Sequence, residues 1–301
     1  MGLYPPIVKS NVDVLTRRLG GVEWFVDSSF GSNAGSRSGN RPEKPLLTIA
    51  EALDRCTAGR YNIINVLAPG HVTEANPIVV DKSYTWIRGV PSISPYGDPP
   101  TTLVATVNDS YFTLAATDIT ISDLTIHGGA AHPAIEFNAV AWSQRNVIHN
   151  CVFRAGLWGI AMGGDPFDSA IDSPSHHWAI SNCKFEGTLT GGGIYVDSNG
   201  SWGTIANNYF DRVPFGIAFP NTHAGAAHQV LDNRFVCPTD DVVGRAILLT
   251  AGTSCLLTGN VAGFNQTAAM TFNPFVDTPN TNFWVNNYGS APAAGAELVP
   301  G

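Results

Sequence analysis

One short phrase recurs down the chain, and it restricts the fold more than any other feature. Between Trp86 and Gly289 the segments WIRGV, TISDLTI, VIHNCVF, AISNCKF, TIANNYF, VLDNRFV, LLTGNVA and FWVNNYG align under one another. Each has an apolar residue, a variable residue, then Gly, Asn or Asp. That third position holds Gly89, Asp123, Asn150, Asn182, Asn207, Asn233, Gly259 and Asn286. These residue types enter the left-handed αL region at least cost. By subtraction, successive positions lie 34, 27, 32, 25, 26, 26 and 27 residues apart. A fixed corner returning at such a period predicts a solenoid.

The residues around the corner say which solenoid. Helical repeats would space apolar residues by three and four over ten or more positions. Here the runs are short, β-branched and alternating: Ile119 and Ile121, Ile194 and Val196, Ile217 and Phe219. Alternation means strands. A rung of this length accommodates three short strands and three turns. The predicted fold is therefore all-β, a parallel β-helix whose strands pair with their counterparts one rung on, roughly 4.8 Å away. Equivalent side chains should then stack. Ile126, Phe153, Phe185 and Phe210 share one inward slot, and rings one rung apart suit offset stacking. Cys151 and Cys183 share the slot after the corner.

Composition narrows the function. Charged residues make up 13% of the chain, about half the usual share, so neutral faces are wide enough for subunits to cover. Self-association, most simply as a homotrimer, is expected. The net charge of −8 argues against a nucleic-acid partner. No run of eighteen apolar residues predicts a membrane span, and the first residues lack the pattern of a signal peptide. Five cysteines without metal spacing read as free, reduced thiols filling space in a chain made in a reducing cytoplasm.

Taken in order, residues 1–20 read as an extended arm. Its Tyr4, Pro5, Pro6, Ile7 and Val8 form an apolar strip suited to anchoring on another protein. EWFVDSS (23–29) reads as a strand, followed by a Gly/Ser loop. One helix then follows: Thr48 and Glu51 form a T-x-x-E capping box, and Leu47 can staple against Ala52. Ile49, Ala52, Leu53 and Cys56 share a face, and Gly59 is the expected terminator. Such a helix can cap the open first coil. The expected divisions are an arm at 1–20, an opening strand, loop and capping helix at 21–60, the β-helix at 61–289 and a tail at 290–301.

The opening motifs are Val26–Asp27, then Pro45–Thr48–Ile49–Ala52, then Pro69–Gly70–Glu74. In this order they resemble the opening segment of right-handed parallel β-helix proteins of the pectate-lyase-like superfamily, many of them found in bacteriophages. The resemblance implies that fold. It leaves function open among lyases, hydrolases, adhesins and virion parts.

Two places could carry chemistry. The enlarged rung at 163–178 holds Asp165, Asp168, Asp172, His176 and His177. They could bind a metal or act as acid and base, yet their spacing matches no established site, and adjacent histidines on an extended strand point apart. The alternative is a polar loop lying on a neighbour. Secondly, Glu136 and Asp197 align two rungs and one position apart, giving roughly 9–10 Å at the rung spacing, near the upper range of an inverting glycosidase pair. The alternative is two solvated carboxylates. The resemblance to polysaccharide lyases would imply acidic calcium ligands on consecutive strands and an Arg base. No slot here collects several Asp, and Arg145, Arg154, Arg212, Arg234 and Arg245 are scattered. Trp142, Trp158, Trp178 and Trp202 are candidate sugar platforms or core residues.

The expectation is a non-enzymatic virion structural protein of a tailed phage, on the capsid surface, with no cofactor and no metal. Its partners would be capsid proteins, further copies of itself and a host surface glycan. The rivals are a carbohydrate-active tailspike enzyme and a glycan-binding adhesin.

Overall fold

The computed structural model describes residues 21–35, 38–67, 70–72, 74–90, 99, 101–137, 143–162, 175–197, 200–220, 227–237, 245–250, 254–264, 274–278 and 281–289. They form a right-handed parallel β-helix with one short helix. One sheet stacks ten strands, starting with Glu23–Val26 and Asn62–Val66 and ending with Phe283–Val285. The other two faces join into one sheet of fifteen strands. They merge because Val152–Met162 and Lys184–Val196 run on through what is a turn in other rungs. The Asp residues of the enlarged rung (165, 168 and 172), the arm residues Tyr4, Pro5, Pro6, Ile7 and Val8, and Trp142 lie outside the described residues.

Register turns the sequence repeat into columns. Ile87, Ile121, Ile148, Ile180 and Ile205 pair in succession and are fully buried. A second column runs Ile126, Phe153, Phe185, Phe210 and Phe235. Its rings stack at 4.9, 4.7 and 4.7 Å with interplanar angles of 11°, 6° and 10°. The facing strand makes room for them: a Cβ on Gly159, Gly193 or Gly216 would lie 2.6, 2.4 or 2.4 Å from the ring of Phe185, Phe210 or Phe235. Each buried ring removes apolar surface from water, at about 1.5–3 kcal/mol per side chain.

The corner after each short strand of the first sheet is left-handed at Asp123, Asn150, Asn182, Asn207, Gly259 and Asn286, with φ between 52° and 69°. Two expected members do not belong. Gly89 has no positive φ; a Cβ there would strike the Asp123 carbonyl oxygen at 2.0 Å, so it is required by close approach. In the rung of VLDNRFV the corner residue is Asp232, with φ 53°, and Asn233 lies one position further. An adjacent Asp and Asn, both corner types, made the repeat ambiguous by one residue.

Asn233 belongs to a different, buried column. Asn208, Asn233, Asn260 and Asn287 each donate from Nδ2 to a carbonyl of the previous rung, respectively that of Ile180, Ile205, Val230 and Leu257, at 2.9–3.1 Å. The Oδ1 of Asn233, Asn260 and Asn287 accepts both the backbone N–H and the side-chain N–H of the Asn one rung earlier. Cys183 tops this run by donating its N–H to Asn208 Oδ1 at 2.9 Å. Cys151 and Cys183 point their thiols at the Ile121 and Ile148 carbonyls in the same fashion, both at 3.8 Å. They are free thiols, as are Cys56 and Cys255. Burial pushes the Cys255 thiol up to about 11 and that of Cys56 up to about 12, so neither carries the reactive thiolate.

The helix, α1, spans Ile49–Arg55 and buries Ile49, Ala52 and Leu53. Thr48 caps it by accepting the Glu51 N–H at 3.2 Å. The reciprocal half of the box is replaced, because Glu51 pairs with Arg55 at 2.7 Å. Leu47 is exposed rather than stapled, and Leu46 is buried instead. The helix ends at Arg55, four residues before Gly59. Its free first-turn N–H groups go to Glu74, whose two carboxylate oxygens accept from Ile49 and Ala50 at 3.2 and 3.3 Å. The two halves of the opening motif are thus joined in space. Burial pushes the Glu74 carboxyl up to about 7, against the pull of those N–H groups.

Candidate functional site

Glu136 stands on an outward strand face, and a glycosidase pair would need a second carboxylate within reach of it. Alternation along each strand puts Ile160, Met162, Ile194 and Val196 inward, so their odd-numbered neighbours face out. Register then gives one outer row: Thr113, Glu136, Ala161, Tyr195, Ala218, Leu248 and Val276. Glu136 is its one carboxylate. Its Oε2 accepts from Ser110 Oγ at 3.2 Å.

Asp197 does not align with Glu136 as expected. The register partner of Glu136 two rungs on is Tyr195, so Asp197 lies two positions beyond it. Two rungs and two residues separate the backbones by roughly 12 Å, outside the inverting range of about 6.5–9.5 Å. Asp197 is also buried. Aligning Ile135 and Phe137 with Ile194 and Val196 already places Tyr195 opposite Glu136, so the expected offset is one residue short.

Beyond Glu136 the outer face is apolar. Trp158, Ala161, Tyr195 and Ala218 form a second buried cluster, with Leu157, Phe215 and Leu248 packed against it. Trp158 lies 5.1 Å from the Tyr195 ring and 6.2 Å from that of Phe215. Gly192 admits the indole, since a Cβ there would lie 2.4 Å from it.

The histidines of the enlarged rung do not point apart. His177 is left-handed, with φ 57°, and both rings gather on Trp202, at 5.9 Å for His176 and 5.0 Å for His177. His176 Nδ1 accepts the Ser201 N–H at 3.0 Å. Of the candidate tryptophans, Trp158 and Trp178 are buried and Trp202 is exposed. The arginines form surface ion pairs: Arg145 with Asp118, Arg154 with Glu186, and Arg212 with Asp211. Among the described residues no three His, Cys, Asp or Glu converge as metal ligands would, and no helix is long and apolar enough to cross a membrane.

No family model matches the sequence, and no curated protein matches it. Solved structures do match in fold. A GH136 lacto-N-biosidase from Eubacterium ramulus is 13% identical with a TM-score of 0.59, over 94% of this chain and 58% of that one. The pectin methylesterase from Aspergillus niger is 12% identical with a TM-score of 0.52, over 91% and 88%. ORF18 of Geobacillus virus E2 is 14% identical with a TM-score of 0.51, over 94% and 64%. The chain thus spans under two thirds of both the lacto-N-biosidase and the phage protein. By its fold, the chain is a right-handed parallel β-helix, similar to these structures.

Proposed function

We propose that this chain is a non-enzymatic structural protein of a tailed-phage particle, decorating or projecting from the capsid surface. The observation that carries the reading is the outer row from Ala161 to Val276, which is apolar apart from the Tyr195 hydroxyl and suits packing against a neighbour rather than acid–base chemistry. A fold neighbour encoded by a phage supports it. The low charge of the chain and the part-exposed Leu157, Phe215 and Leu248 suit side-by-side association as a homotrimer. Attachment to the particle falls to residues 1–20, whose Tyr4, Pro5, Pro6, Ile7 and Val8 can add apolar burial when laid on another protein. Deleting residues 2–12 should leave the melting temperature of the isolated protein unchanged and abolish its recovery with purified particles. Undiminished recovery would overturn the attachment.

The second reading is a carbohydrate-active enzyme. Glu136 on the outer face and the fold shared with a lacto-N-biosidase favour it. Turnover of a polysaccharide, lost on Glu136→Ala or Asp168→Ala, would establish it.

A further inference from the structure

The first sheet has a second corner, before each short strand rather than after it. Register lines up Tyr61, Tyr84, Asp118, Arg145, His177 and Trp202 here, one per rung. Five steps at the rung spacing make a column roughly 24 Å long. Every member has a planar end group. From Tyr84 onward all are left-handed, with φ between 53° and 59°.

That choice opposes local backbone preference. A side chain with a Cβ costs roughly 1–2 kcal/mol in this region, and Tyr, Arg, His and Trp bring no local hydrogen bond to offset it as Asn does. Burial does not offset it either: Trp202 is 59% exposed, and Arg145 and His177 are exposed too. Nor does the fold require bulk at this corner, since Ala227 and Ser254 occupy it in the next two rungs at φ 60° and 57°. A strained residue type kept at an exposed corner that also accepts Ala and Ser points to a functional position.

The end groups also hold one another in place. Tyr61 and Tyr84 lie 5.0 Å apart, both arms of Arg145 grip the Asp118 carboxylate at 2.8 and 2.6 Å, and His177 lies 5.0 Å from Trp202. The result is a preordered strip with aromatic faces at both ends and a neutralised ion pair in the middle. Ring faces stack on the C–H faces of sugars. The guanidinium and carboxylate keep N–H groups and lone pairs for hydroxyls. One planar group per rung matches a ligand whose own units repeat in a straight line. With the charges of Asp118 and Arg145 cancelling, neither polyanions nor polycations are favoured.

We propose that this column binds a straight, uncharged, β-linked polysaccharide lying along the axis of the solenoid. The proposal goes beyond the structural role and stands on the isolated chain, so failure of particle attachment does not bear on it. The test is affinity electrophoresis of the intact chain in gels containing hydroxyethylcellulose, glucomannan or xylan, with α-linked pullulan as control. Retardation by at least one β-linked polymer and not by pullulan is expected. Trp202→Asn should weaken it about fivefold, the loss of one ring contact, with a melting temperature unchanged or raised because Asn accepts the left-handed corner. Tyr84→Asn should do the same. Lack of retardation in all three β-linked gels, equal retardation by pullulan, or retardation indifferent to both variants would overturn the proposal. So would dissociation of an oligomer by Trp202→Asn in sedimentation, which would make the column an interface between copies.

Discussion

Six short strands of the first sheet, from Thr120–Ser122 to Leu256–Thr258, are each flanked by two left-handed corners that share a backbone geometry and almost nothing else. The corner after the strand uses Asp, Asn and Gly, and the buried Asn column stands directly behind it. The corner before it uses Asp, Arg, His, Trp, Ala and Ser. At the first corner, residue type follows conformational cost and interior hydrogen bonding. At the second, residue type ignores that cost and follows exposure. The same φ thus serves stability on one side of the strand and leaves the other side free for surface chemistry.

The largest effect should come from the interior behind the first corner. Asn233→Ala strands the Ile205 carbonyl and the Asn208 N–H in the buried column. At about 1–3 kcal/mol for each group left unsatisfied, the loss should be about 4 kcal/mol in denaturant unfolding. Asn207→Ala, at the corner itself, should cost only about 1 kcal/mol. Equal losses would erase the distinction between corner and column.

Next in size is the lid end, which separates pH dependence from both corners. The Glu74 carboxyl rises from 4.5 unfolded to about 7 folded, because burial disfavours its charge. Stability from this group is full below pH 4.5 and is lost as pH rises through 7, by about 3 kcal/mol. Asp118 at the second corner goes the other way: its hydrogen bond to Arg145 holds it below the usual carboxylate range. Its contribution is therefore present above its unfolded value of 3.8 and does not fall as pH rises from there. Burial holds His228 and His149 below the usual imidazole range, which makes stability rise with pH over the same span. The Glu74 contribution is therefore read as a difference: from pH 4 to 8 Glu74→Gln should gain about 3 kcal/mol on the parent, while Asp118→Asn should keep a constant offset from it.

Asn182→Val puts a β-branched residue into the first corner at φ 53° and should cost about 2 kcal/mol. A variant melting like the parent would show that the first corner tolerates residue type as freely as the second. The smallest effect has the opposite sign. Trp202→Gly relieves a left-handed Trp at φ 59° and should raise stability by up to about 1 kcal/mol. A clear loss of stability would make Trp202 a structural residue and close the gap between the corners.

Much of this architecture is legible in the chain. The Ile and Phe columns follow from counting residues past a recurring Asn, because stacked rungs must repeat what their interior accepts. Two errors are slips of one residue. The slip at Asp232–Asn233 came from two adjacent residues that both suit the corner. Asp197 was placed one position past Glu136, whereas aligning Ile135 and Phe137 with Ile194 and Val196 places it two past. The second corner left no signature, since its side chains face solvent and the interior exerts no selection on them. Glu74 was visible only as a motif letter; its partners, Ile49 and Ala50, lie 25 and 24 residues away.

The sequence by itself determined the all-β solenoid, its period, the stacked Phe rings and the capping helix, because each rests on local conformational cost or on repetition. Only the tertiary structure decided which residues share a rung edge. It aligned Tyr61 with Trp202 across five rungs, joined Glu74 to the helix and placed Trp158, Tyr195 and Phe215 together outside the coil. These juxtapositions depend on register summed over turns of unequal length, a quantity that no single segment of the chain contains.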